Sequence, residues 1–454
     1  MHKFKSWAIM LALLLLANHE IGMDREKTER PVADVFEVMD KVAELSVLPF
    51  WPGFDTKKIP VAVFDGLNTY CFNAGEKPDG FSPLPKKKGV FFFAGQHANV
   101  RGNSVTRLAD HWTATSVLSD HSRRSKEKYS IRDMAGIIIH EQFHIFQRSQ
   151  HPDWRQNDGL LLFYPAETNE TLMLRRIEKE AFKRAVGATS KDHTAGWAKE
   201  ALRYREQRLR KLETVFGLYE KELQRTEGLS DYIEKIARAT APLSASSITN
   251  LIAPAGIRDL GYVEGRWIAM ILDRLEPDWK LALENDDTRY LEDILIAAAG
   301  KFSAVIDGFT EKEALEFKSA AEADFRAWEC AKNQQLEKFQ QQPGLKVEIV
   351  STANPLRIRI FEPLEIETLP GRGVYHKKIF SAHNDGSSLK ILDQPCITYF
   401  DDSFRVVKLI LNGLAADPEI DEKGNTLSLT SENVTLQIHY AKIVRGQNCI
   451  LLEL

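Results

Sequence analysis

The sequence predicts an α+β fold: a small N-terminal sheet, a mainly helical body, and a β-sandwich-like C-terminal domain. Three observations support this. Residues 59–64, 90–93 and 112–118 are short runs rich in β-branched and aromatic residues, separated by Gly, Pro and Asn. From about 130 to 340, apolar residues recur at helical spacing instead. Beyond Gln340-Gln341-Gln342-Pro343-Gly344, short strand-like runs alternate with turn signals. The expected boundaries are 1–23 for a signal peptide, 24–340 for the first folded domain and 345–454 for the β-rich domain.

At the N-terminus, Lys3 and Lys5 precede an apolar run over 7–17, and Asn18, His19 and Glu20 follow. This is the layout of a secretory signal, and the run is too short to span a bilayer. The chain is therefore expected to be exported, periplasmic or extracellular, with no stable membrane insertion after cleavage. After a charged linker, Val35, Phe36, Met39, Val42 and Ala43 predict a helix over 32–48, ending before Pro49. Ser130 and Asp133 form a capping-box pattern that opens a helix running to about residue 150, just before Pro152. Further helices are expected over 172–186, 194–225, 227–237, 263–275 and 312–338. C-terminal strands are expected over 347–350, 356–361, 396–400, 404–411, 427–429, 434–439 and 449–454.

With 454 residues, 43% of them hydrophobic, the chain can bury a sizeable core. Its 60 basic and 64 acidic residues give a net charge of −4, which argues against a general nucleic-acid binder. Four cysteines suit an exported protein. Cys396 and Cys449 can pair within the C-terminal region, whereas Cys71 and Cys330 need a long-range bridge.

The chemistry concentrates in Ile137-Ile138-Ile139-His140-Glu141-Gln142-Phe143-His144. Four residues apart on a helix, His140 and His144 project from one face and suit two ligands of a tetrahedral zinc. Glu141 lies about 100° around the helix from His140. From there its carboxylate can reach in front of the metal as a general base. The apolar flanks predict a buried helix that holds the ligands still. No Gly and His follow at metzincin positions, so the third ligand is sought as a glutamate on a later helix. Glu227 is favoured, because Gly228 and Ser230 let helices approach closely. Glu178, with Ala181 and Ala185 on a similar face, is the alternative, and whichever is not a ligand can orient one. His97, His111 and His121 lack ligand spacing.

These motifs resemble the gluzincins, the thermolysin-like superfamily of zinc metallopeptidases, in which H-E-x-x-H is followed by a glutamate helix often written E-G-x-A-x-Y. The resemblance covers roughly residues 110–270. It implies Zn2+ held by His140, His144 and Glu227, with Glu141 as general base. Here the second motif reads Glu227-Gly228-Leu229-Ser230-Asp231-Tyr232, with Ser in place of the usual Ala and a long interval after His144. A tyrosine commonly assists such enzymes at the oxyanion. Tyr262, between Gly261 and Gly265, is the candidate, and Tyr232 is a weaker one. Arg266 is a candidate for a substrate carboxylate, and 112–118 for an edge strand that aligns an extended substrate. The expected function is zinc-dependent hydrolysis of a peptide or protein substrate. The rival expectation is a non-catalytic binding protein with a structural or degenerate zinc site, in which the β domain recognises a partner or glycan.

Overall fold

A computed structural model of the protein describes residues 34–118, 129–240, 252 and 255–454. The expected signal peptide, the linker after it and His121 lie outside the described residues. The architecture is α+β: a sheet near the N-terminus, a helical middle and a sheet-rich C-terminal region.

Helix α1 (Val35–Leu45) is capped by Asp34, whose side chain accepts from the Phe36 amide, and it buries Val35, Val38, Met39, Val42 and Leu45. Six strands follow: β1 (Val61–Phe64), β2 (Asn68–Phe72), β3 (Ser82–Pro83), β4 (Phe91–Ala94), β5 (Ser104–Leu108) and β6 (His111–Val117). They order as β3-β4-β2-β1-β6-β5, and β1 and β6 run parallel. The sequence predicts only β1, β4 and β6, because β3 has just two residues and β2 and β5 mix polar with apolar residues. One expectation fails. Strand β6 lies between β1 and β5 and is therefore not an edge; among the described residues the edges are β3 and β5. Residues 113–117 are buried, with apolar clusters on both faces of the sheet.

Helix α2 (Ile131–Gln150) packs on this sheet. Its capping box forms as the sequence predicts: Ser130 Oγ accepts from the Asp133 amide at 3.1 Å, and Asp133 accepts from the Ser130 amide at 3.0 Å. A cap of this kind contributes about 1 kcal/mol. Gln142 is wholly buried and donates to the carbonyls of Thr56 and Ile59 at 2.8 and 3.0 Å. Those bonds tie the helix to the segment that enters β1.

The helical middle contains α3 (Asn169–Gly187), α4 (Lys191–Leu209), α5 (Thr214–Leu223), α6 (Leu229–Arg238), α7 (Ala255–Leu275), α8 (Trp279–Glu284), α9 (Leu291–Gly300) and α10 (Glu311–Gln340). The single helix expected over 194–225 is two, broken at 210–213, although no Gly or Pro marks the break. Tertiary pairing accounts for it. Buried Arg208 donates to Glu178 of α3 at 2.8 Å and to Glu220 of α5 at 2.7 Å. Arg205 donates to Glu178 at 2.6 Å, and Arg175 pairs with Glu167 at 2.9 Å. The chain must turn back after α4 for α5 to meet these guanidinium groups.

After α10, thirteen strands between Leu345 and Glu453 form a seven-stranded and a six-stranded sheet. Alternating residues such as Val347, Ile349, Leu409 and Leu411 on one sheet, and Leu389, Ile391, Leu436 and Ile438 on the other, join one apolar cluster, as in a β-sandwich. Phe163 packs edge-on against Phe400 and Phe404, which joins this region to the helical middle. The expected Cys396–Cys449 pairing is absent, and all four cysteines are free. Their strands lie three places apart in the seven-stranded sheet. That separation is about 14 Å, beyond the reach of a disulfide. No helix among the described residues is long and apolar enough to cross a membrane.

Removing one partner from a buried ion network leaves the others unpaired, so Arg208→Met should cost about 3–5 kcal/mol. Burial works against charge on Glu178 and Glu220, yet Arg208 with Arg205 or Arg175 holds both below the usual carboxylate range. Their stabilisation is therefore present above about pH 4.5 and lost as pH falls below it. Thermal unfolding between pH 6 and pH 3 tests both statements. An unchanged melting temperature in the variant would remove this network from the fold's supports.

Candidate metal centre

Helix α2 supplies His140 and His144, and Glu227 arrives on a second helix. The sequence predicts Glu227 to open a new helix. Instead α5 and α6 are continuous through a π-turn over Gln224–Gly228, which contains Glu227. A π-turn widens the helix and leaves carbonyls short of partners, a feature frequent at functional sites. Gln147 of α2 meets that need by donating to the carbonyls of Arg225 and Thr226 at 3.3 and 3.0 Å.

Small residues set how closely the helices approach. A Cβ on Gly228 would lie 2.6 Å from the Gly265 Cα, and one on Gly265 would lie 2.4 Å from the Gln224 carbonyl. The glycines flanking Tyr262 therefore serve close helix contact. Gly136 of α2 plays the same part on the other side, where a Cβ would meet Arg238 Cγ at 2.4 Å.

Three donor atoms converge between these helices. His144 Nε2 lies 3.1 Å from His140 Nε2 and 3.1 Å from Glu227 Oε2, and His140 Nε2 lies 3.8 Å from Glu227 Oε2. Corners of a tetrahedron built on bonds of about 2.0–2.1 Å stand about 3.3 Å apart, so the triangle matches three protein corners of such a site. Among the described residues this is the one cluster of three such side chains able to hold a metal ion.

The surroundings fix which atoms face inward. His140 Nδ1 lies 3.2 Å from Glu234 Oε2, and a carboxylate can only accept. His144 Nδ1 lies 3.0 Å from Gln147 Oε1 and 3.2 Å from Ser230 Oγ. With protons on both Nδ1 atoms, both Nε2 lone pairs point at each other and at the carboxylate. Glu227 Oε1 accepts from Gln156 at 3.1 Å and from Arg258 at 3.2 Å, while the buried Oε2 lacks a hydrogen-bond partner. Three lone pairs around one point repel unless a cation or proton sits there. Burial opposes charge on His140, yet Glu227 and Glu234 hold its pKa well above the ordinary value. Burial likewise opposes charge on Glu227, which His144, His140 and Arg258 keep well below the usual carboxylate range.

Glu141 and His140 face a cleft of about 300 Å³, lined also by Asn103, Tyr129, Ile137, Glu234, Arg238 and Tyr262. Burial raises the Glu141 pKa, partly offset by His140 and His144. Tyr262 stacks on His140, with ring centroids 6.1 Å apart and planes 14° from parallel. Burial, then the Glu227 charge beside it, keeps its hydroxyl protonated and able to donate.

The structure thus brings together His140, Glu141, His144, Glu227 and Tyr262. Glu178 is not among them: it is wholly buried between Arg205 and Arg208. Tyr232 donates to Asp273 at 2.6 Å, away from the cluster, and Arg266 is buried against Asp231. His97 packs on Phe81 and Phe93, and His111 starts β6 on the surface. Sequence reasoning missed Glu234, Gln147 and Arg258. The first was findable, since Glu234 follows Glu227 by seven residues and shares its helix face.

Orienting partners of metal ligands typically contribute 10–100-fold in affinity. For a metal held by His140, His144 and Glu227, Glu234→Gln should weaken binding by about that factor in a chelator competition, whereas folded Glu178→Gln should keep the wild-type stoichiometry. A Glu178 variant that folds without binding metal would return Glu178 to the site. Gly265→Ala should destabilise the protein by about 1–3 kcal/mol or more in denaturant titration, because backbone must yield.

No protein-family model matches the chain, and no curated protein or solved structure matches it either.

Proposed function

We propose that the protein is a zinc-dependent hydrolase of the metallopeptidase type, with His140, His144 and Glu227 as ligands and Glu141 as general base. The observation that carries this reading is the convergence of three lone-pair donors beside a buried carboxylate on an open cleft. Two imidazoles and one carboxylate are a donor set suited to a catalytic zinc, which when bound supplies Lewis acidity and lowers the pKa of water.

The chain's own residues then have distinct tasks. Glu141, its pKa raised by burial, accepts the proton of the attacking water and returns it to the leaving amine. Tyr262 donates to the oxygen on which negative charge develops. Glu234 and Gln147 hold the imidazoles in one tautomer. Asn103 lines the cleft immediately before β5, so an extended peptide added along that edge strand would lead into the site. In this reading substrate alignment falls to β5, since β6 is enclosed. A peptide or protein substrate fits this edge, and the near-neutral charge gives nucleic acid no footprint. The signal-like N-terminus favours an exported enzyme.

Zinc per chain, in protein purified without chelator or added metal, is the direct test. About one zinc is expected in wild type and in Glu141→Gln, and much less in His144→Ala. Hydrolysis of a peptide library should fall about 10²–10⁴-fold in Glu141→Gln. Failure to take up zinc on titration, or unchanged activity in Glu141→Gln, sinks the assignment.

A further inference from the structure

Helix α2 is buried along most of its length, but not evenly. Between Met134 and Arg148, only Ile137, His144 and Arg148 are more than slightly exposed. With Glu141 between them, these residues follow four- and seven-residue spacing and form one stripe along the helix. The stripe starts at the cleft and ends at Arg148, one turn beyond His144.

Arg148 is unusual among the buried and half-buried arginines of this protein. Arg175, Arg205, Arg208 and Arg238 are each paired with carboxylates. Arg148 makes no hydrogen bond or ion pair among the described residues. Its guanidinium instead lies 5.1 Å from the ring of Trp112 in β6, and Arg107 of β5 lies 5.1 Å from the same ring. Arg107 and Arg155 likewise lack carboxylate partners among the described residues, and Arg148 is within electrostatic reach of Arg155, Glu141 and Glu227. Stacking on an indole fixes the plane of a guanidinium while leaving its N–H edge open to an acceptor.

From this geometry we infer a carboxylate subsite: Arg148, seated on Trp112, receives an anionic group of the substrate about three residues from the bond on which Glu141 acts. Seven residues of helix rise by about 10.5 Å, and an extended peptide covers about 3.3 Å per residue. The group is a carboxylate, carried by an acidic side chain or by the peptide's C-terminus. The inference rests on the peptidase reading for its substrate, and binding separates the two.

The test uses full-length Glu141→Gln protein, so that binding is read without turnover. Calorimetry compares three acetylated peptides of one sequence: one with a single Glu and an amidated end, its Gln isostere, and the Gln isostere with a free C-terminal carboxylate. A charge-assisted contact predicts that one carboxylate peptide binds about tenfold more tightly than the neutral isostere. The Glu peptide winning assigns the subsite to internal acidic residues, and the free-end peptide winning assigns it to a chain terminus. Adding Arg148→Met, which keeps the apolar stem on Trp112, should abolish the preference, and Arg148→Lys should restore part of it. Equal affinity for all three peptides, no binding of any, or a preference that survives Arg148→Met overturns the subsite. If the preference is present but wild type hydrolyses none of the peptides, the peptidase reading fails and the subsite stands.

Discussion

The helical run from Thr214 to Arg238 is clamped between two others at positions where a methyl group does not fit. Gly228 meets Gly265 of α7 backbone to backbone, and Gly136 of α2 leaves room for Arg238. Glu227 and Glu234 ride on this one run, two turns apart, and each meets α2 at a different imidazole atom. Glu227 presents a lone pair to the Nε2 atoms, while Glu234 Oε2 lies 3.2 Å from His140 Nδ1. A shift of either helix by one side-chain width would lose both contacts together. Dispersion and hydrogen bonding at the clamp thus offset the repulsion among the gathered donor atoms.

Behind the clamp lies an ionic core. Arg205 donates to Gln224 at 3.0 Å, and Gln224, the first residue of the π-turn, donates to Glu264 at 3.0 Å. The network that joins α3, α4 and α5 therefore also grips the turn that sets Glu227. Burial, together with the neighbouring Glu178 charge, pushes the Glu264 pKa up to about 7 despite Arg205. Such a core is a weak source of net stability, because desolvation cancels much of the attraction. Its value here is directional: guanidinium forks accept few alternative arrangements, and they hold four helices in one register.

The sheet and the stripe on α2 give the site its opening. Strand β6 is enclosed, so the approach is along β5, with Asn103 at the cleft and Arg107 further along the same strand. The proposed catalytic groups thus sit on a buried helix, and the contacts proposed for an extended ligand lie on the edge strand and the exposed face of that helix. Among the described residues, loops contribute little to the candidate site, which suits ligands that must be held still.

Local signals were enough for part of this. The spacing of His140 and His144, the Ser130–Asp133 cap and the apolar flanks make α2 legible, because a helix's face and start depend on neighbours in sequence. The strand-like C-terminus was legible for the same reason. Glu227 was readable as a candidate, but its advantage over Glu178 was not. Both are glutamates on helices near small residues, and only the tertiary structure pairs Glu178 with Arg205 and Arg208 while it sets Glu227 beside the histidines. The break after α4, the π-turn, the enclosure of β6 and the free Cys396 and Cys449 were likewise decided by tertiary structure. Each depends on which groups satisfy one another across long sequence separations, and local periodicity carries no record of that.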